Sequence, residues 1–166
     1  MHDTTEVITV RPATEADLDA IVGLLVVTAA EGRWIATQTP VDQAKRRAGF
    51  VQTLQREDAR IFVATVGALI VGHVGITTRR VGLLEFGMAV AADWRGKGVG
   101  TALLLACIAW ARAIGAHKIV LEVFPHNAAA RALYRKCGFV EEGYFRHHVR
   151  RKSGEFWDII AMGLVL

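Results

Sequence analysis

Cysteine is scarce: Cys107 and Cys137 are the only two in 166 residues. That is too few for a disulfide-stapled scaffold, and no Cys/His group stands at metal-ligand spacing. His147 and His148 are neighbours, and on a strand they point to opposite faces, which makes a poor chelating pair. No metal is expected. Proline is also rare, at three residues, and no repeat or low-complexity tract marks a linker. A single domain over residues 1–166 is the expectation. No apolar run approaches the ~20 residues that a membrane span needs. The opening MHDTTEVITV carries no basic-then-apolar leader. These absences together predict a cytoplasmic protein with no membrane partner. Net charge is a modest +4, which suits a polyanionic small molecule or nucleic acid and selects neither.

What the chain does have is apolar content, 52% of residues, arranged in runs of strand and helix length. VITVRPAT alternates and reads as a strand ending at Arg11–Pro12. Thr14, followed by the acids Glu15 and Asp17, predicts a capped helix over about residues 15–30. VDQAKRRAGFVQTLQRE has helical spacing. RIFVATV, ALIVGHVGIT and LLEFGMAV read as strands, with Gly67 forming a hairpin between the first two. TALLLACIAWARAIG reads as a helix stopped by Gly115, and HKIVLEVF as a strand. NAAARALYRKCG is a short helix between an Asn127 cap and a Gly138 stop. FVEEGYFRHHVR and FWDIIAMGLVL finish the chain as strands joined at RKSGE. The unit over residues 83–123 predicts a right-handed parallel crossover within a mixed sheet. Helices on both faces follow from that arrangement.

The stretch DWRGKGVGTALL places Gly96, Gly98 and Gly100 just before an apolar helix. Glycine inside a helix costs about 1 kcal/mol relative to alanine. A strand, then glycines, then a helix N-terminus can hold an anion on backbone N–H groups, with Arg95 and Lys97 adding charge. A sharp hydrated turn explains the same residues. Two nucleotide signatures fail: a dinucleotide fingerprint needs glycine at position 101, which is Thr101, and the P-loop spacing is absent.

The spacing that fits is Arg95-x-x-Gly98-x-Gly100. Here the chain resembles the GCN5-related N-acetyltransferase superfamily, whose signature is Gln/Arg-x-x-Gly-x-Gly/Ala. A second block, NAAARALYRKCGF from Asn127 to Phe139, is similar to that family's N-x-x-A-x-x-L-Y-x-x-x-G-F segment. The resemblance is close over residues 83–140 and looser over the whole element order. It implies an α/β fold with a mixed, mostly antiparallel sheet of six or seven strands. That sheet is flanked by helices on both faces and splayed between its fourth and fifth strands. It also implies acetyl-CoA as co-substrate and a small-molecule or peptide amine as acceptor.

The resemblance assigns roles as well. Backbone from Arg95 through Gly96, Lys97, Gly98, Val99 and Gly100 to Thr101 would hold the pyrophosphate. Met88, Ala89 and Val90 would pair with the pantetheine arm, with a donor among them for the oxyanion and a bulge at Gly87. Asn127 would contact the cofactor while capping its helix. Tyr134 would be the acid for the leaving thiolate. Glu85 and Glu122, each in an apolar strand, are equal candidates for the base. An acyl-enzyme on Cys137 is the lesser route.

The acceptor side is thinner. Trp34, Tyr144, Phe145 and Trp157 could form an aromatic wall, and Arg33 a clamp for a carboxylate. A small amino-acid-like amine is the expected acceptor. A non-catalytic acyl-CoA sensor is the alternative. Nucleic acid is not expected, since RHHVRR and AKRRAGF accompany no recognised binding motif. A homodimer is compatible with all of this.

Overall fold

The computed structural model describes residues 7–166. The start of the chain, read above as free of a leader, falls mostly outside them. The strands are β1 (Ile8–Pro12), β2 (Ala59–Val66), β3 (Leu69–Arg80), β4 (Leu83–Val90), β5 (Lys118–Val123), β6 (Val140–Arg150) and β7 (Phe156–Val165). The helices are α1 (Leu18–Ala30), α2 (Gln43–Leu54), α3 (Val99–Ala113) and α4 (Ala128–Lys136). All seven strands form one sheet in the order β1-β2-β3-β4-β5-β7-β6. Among the described residues only the β4–β5 pair is parallel, as the α3 crossover requires. The expected fold class is met.

Two layers of apolar side chains hold helices to this sheet. On one face Leu18 and Ile21 of α1 meet Ile61 and Val63 of β2, with Phe50, Val51 and Leu54 of α2 closing over them. On the other, Val99, Leu103, Leu104 and Cys107 of α3 pack on Val74, Ile76 and Leu84. The first helix begins differently from expectation. A turn of 3-10 helix, Glu15–Asp17, precedes α1. Asp17 is pinned there: it accepts from the Thr14 N–H at 2.8 Å and from both arms of the Arg11 guanidinium at 2.8 Å. The Arg11 hydrogen bonds, helped by Thr14, hold its carboxyl down at about 2.

The feature that makes room for a ligand lies between β4 and β5. Their pairing covers Leu83–Lys118, Leu84–Ile119 and Glu85–Val120 and stops there. Beyond Glu85 the strands diverge, although β4 stays paired with β3 up to Val90 and β5 with β7 up to Val123. The bulge expected at Gly87 is absent. Gly87 sits in unbroken register opposite Gly75, and the β3–β4 irregularity falls at Thr78/Arg80 instead. Opening the sheet therefore needs no extra residue in β4, because the strands simply part after the third rung.

Candidate active site

A cleft of about 900 Å³ follows the gap. It runs from the α1–α2 face, past the free edges of β4 and β5, to the N-termini of α3 and α4. The Ala91 N–H bonds to the Val71 carbonyl on the β3 side at 2.9 Å. Strand alternation then turns the amides of Met88 and Val90 the other way, into the gap.

The α3 N-terminus is built as a cradle. Gly98 is the N-cap with φ +89°, a left-handed conformation that a side chain opposes, and no side chain caps it. The first bond across this end is Ala102 N–H to the Gly98 carbonyl at 3.0 Å. The amides of Val99, Gly100 and Thr101 are thus left without intrahelical acceptors. A Cβ on Gly96 or Gly98 would meet no protein atom within 4 Å, so the space above them is open. Gly100 has another cause. It lies inside α3, one residue after the helix begins, and a Cβ there would sit 2.9 Å from Leu133. Its missing side chain lets α4 approach.

The basic residues of this loop behave differently from expectation. The Arg95 fork grips Glu31 at 2.7 and 2.6 Å, and its Nε donates to the Val90 carbonyl at 3.0 Å. Glu31 also accepts from Trp34 Nε1 at 2.6 Å. These hydrogen bonds, Arg95 foremost, lower the Glu31 pKa and raise that of Arg95. Arg95 therefore fastens the loop to the end of α1, and its own amide already bonds to Ala92. Lys97 lies over the Trp94 ring at 4.8 Å. The cradle is left to backbone amides and the helix end.

Tyr134 enters from the α3–α4 face. It is buried, lines the cleft, and packs edge-on against Phe86 at 5.7 Å. Burial pushes its phenol up to about 12. Asn127 does cap α4, accepting the Ala130 N–H at 3.2 Å, and it also lines the cleft.

The two carboxylates part company. Glu122 lines the cleft on the α1–α2 face. Glu85 shares that face, because it pairs with Val120, two residues before Glu122. It stands outside the lining, 3.6 Å from Arg79. Cys137 is half-buried, and burial raises its thiol, which disfavours the thiolate a covalent route needs.

Of the expected aromatic wall, Trp34 lines the cleft, whereas Tyr144 is turned to Asp158 at 2.6 Å and Phe145 is exposed. Trp157 joins a cluster that sequence reasoning missed, with Phe124 at 4.9 Å, His126 at 5.0 Å and the buried Arg151 guanidinium 4.1 Å above its ring. Arg33 stacks on Trp34 outside the cleft, and Arg46 of α2 is among the cations on its wall, with Arg95 and Lys136. His73 on β3 was also missed. Its only sequence signal is a histidine inside an apolar strand.

The sequence model of the Acetyltransferase (GNAT) family matches residues 21–139. The chain is similar to the L-methionine sulfoximine/L-methionine sulfone acetyltransferase of Pseudomonas aeruginosa. The two are 35% identical over 163 residues, 95% of this chain and 94% of that protein. It is also similar to the L-amino acid N-acetyltransferase AaaT of Escherichia coli, at 33% over 118 residues, 66% of this chain and 70% of AaaT. Among solved structures, the ribosomal-protein-alanine N-acetyltransferase of Brucella melitensis matches with a TM-score of 0.87 at 29% identity, covering 95% of this chain and 99% of that one. The structure of yncA from Salmonella typhimurium, with its cofactor acetyl-CoA, matches with a TM-score of 0.86 at 25% identity, covering 96% and 94%.

Proposed function

Because the chain belongs to the Acetyltransferase (GNAT) family, we propose that it carries the acetyl group of acetyl-CoA to the primary amine of an amino-acid-like acceptor. Transfer is by direct attack in a ternary complex. One observation carries this reading: the parted β4–β5 edges lead straight into the uncapped, glycine-lined N-terminus of α3. A thioester carrier with a diphosphate needs those two features in that order.

The residues fit that carrier. The open amides from Gly96 to Thr101, with Asn127 alongside, hold the diphosphate. The inward amides of Met88 and Val90 pair with the arm, and one of them donates to the carbonyl oxygen as it becomes an oxyanion. Glu122 takes a proton from the acceptor ammonium. The freed nitrogen lone pair attacks the thioester carbon, the C–S bond breaks, and the sulfur takes the Tyr134 proton. The nitrogen gives up its second proton through water to the Tyr134 phenolate, and Glu122 releases its own to solvent. Acid and base then stand on opposite faces of the gap, so the thiol leaves on one side while the amine enters from the other. Glu122 is preferred to Glu85 because it faces the cleft and no salt bridge engages it among the described residues.

An amino-acid acceptor is supported by the substrates named for the two enzymes above and by Arg46, a cation on the α1–α2 side of the cleft. The accompanying reading is one N-acetyltransferase domain over residues 1–166 acting in the cytoplasm. Among the described residues, no helix is long and apolar enough to cross a membrane. The test is thiol release from acetyl-CoA with amino acids, L-methionine sulfone, polyamines and N-terminal peptides. Release with amino acids or the sulfone is expected. Bound CoA with no release for any amine would make the protein a sensor.

A further inference from the structure

His73 is 5% exposed, yet neither ring nitrogen has a hydrogen-bond partner among the described residues. His73 is a residue of the cleft wall, and both nitrogens lie buried at that wall without a partner. Burial lowers its pKa to about 4, so the ring is neutral, with one N–H donor and one lone pair.

The register fixes where the ring stands. His73 pairs with Ala89, and Gly75 with Gly87, so all four share the face that α1 and α2 cover. A Cβ on Gly75 or on Gly87 would meet nothing within 4 Å. These two opposed glycines therefore form the bare floor of a hollow. Glu122 bounds it across the gap, level with Gly87 by extension of the Glu85–Val120 rung. His73 bounds it on the other side, one pleat along. Phe50 meets the imidazole edge-on at 5.9 Å and Ile61 adds an apolar wall. The ring borders this hollow on the side opposite the carboxylate.

We propose that His73 is a binding residue for the acceptor: its imidazole hydrogen-bonds the reacting nitrogen over Gly87 and aims it across β4 at the thioester. The proposal rests on the acetyltransferase reading. A buried donor–acceptor pair without a partner costs the fold, and the bound acceptor removes that cost. The hydrogen bond forms only once the acceptor is seated, so its loss appears in acceptor affinity and not in the fold.

The experiment compares His73→Phe and His73→Gln with the parent enzyme, using L-methionine sulfone as acceptor, or whichever amine the parent turns over fastest. His73→Phe keeps a ring against Phe50 and removes both nitrogens. Expected are an acceptor KM raised about tenfold or more, an acetyl-CoA Kd within about twofold of the parent, and a Tm no lower. His73→Gln should recover part of the affinity. An unchanged acceptor KM in His73→Phe, or a parallel loss of acetyl-CoA affinity, overturns the assignment. Should His73→Phe fail to fold, ¹⁵N signals of the His73 ring in the parent decide: they shift on saturation with the acceptor, or the proposal fails. Absence of transfer by the parent enzyme would instead sink the activity itself.

Discussion

Replacing Tyr134 with phenylalanine isolates one proton. The ring sits edge-on to Phe86 at 5.7 Å and lies 6.1 Å from Phe139. Phenylalanine keeps both contacts, so the fold and the walls of the cleft should survive. What disappears is the proton donor proposed for the leaving sulfur. In water a tyrosine is less acidic than a thiol by about 1.5 units, so transfer to a thiolate runs uphill there. Burial takes Tyr134 up to about 12, which keeps its proton in place until the thiolate forms. General acid catalysis of that kind contributes ~10²–10⁴ in rate. The expectation for Tyr134→Phe is a kcat lowered at least ~100-fold, about 2.7 kcal/mol of barrier. Acetyl-CoA Kd by calorimetry and Tm should stay near those of the parent. With its phenol at about 12, Tyr134 stays protonated through pH 9, so it adds no alkaline fall to the parent's rate profile. A kcat within about threefold of the parent would refute the acid role, and equal losses of kcat and acetyl-CoA affinity would make Tyr134 a packing residue.

Gly98→Val should abolish measurable acetyl-CoA binding by calorimetry, because its methyls would enter open space above the α3 amides. The strain of φ +89° adds ~1–2 kcal/mol of destabilisation, a Tm lower by several degrees. Unchanged acetyl-CoA affinity would remove the cradle from the site. Glu122→Gln should depress kcat/KM most at neutral pH and recover as rising pH deprotonates the amine in solution, whereas Glu85→Gln stays near the parent; reversed outcomes would move the base to Glu85. Asp17 has a folded pKa of about 2, below its unfolded value, so its contribution is full above about pH 4 and drains away as pH falls towards 2. Asp17→Asn should lose ~1.5–3 kcal/mol at pH 7 by urea titration and flatten the acid limb, and a parent-like acid limb would contradict this.

Local signals carried the parts of the candidate site's local structure that lie close together in sequence. The Asn127 cap, the Gly98 turn and Tyr134 within its helix each depend on neighbours a few residues away, and all lie where they were expected. Partners distant in sequence left no such trace. Glu31 takes the Arg95 fork from 64 residues away and so fastens the loop to α1. Gly100 keeps an open amide in the cradle, but nothing local announces that its missing side chain also makes room for Leu133. His73 was passed over because a histidine in an apolar strand is ordinary until both its nitrogens are seen to be unpaired. The missing bulge at Gly87 has the same origin: a strand glycine reads as a kink, whereas pairing with Gly75 makes it floor.

The short seam of three rungs between β4 and β5 also bears on how long the molecule lasts. It leaves two β-panels, one ending in β4 and one starting at β5, joined by little more than that stitching and the helices laid across it. Whatever lies in the gap and bonds to both panels darns the sheet. A ligand at a hundredfold above its dissociation constant adds about 2.7 kcal/mol to the folded state, a large share of what a domain this size possesses. Protease resistance and half-life in the cell should then rise and fall with the supply of acyl donor. A starved cell would lose the catalyst along with the reaction.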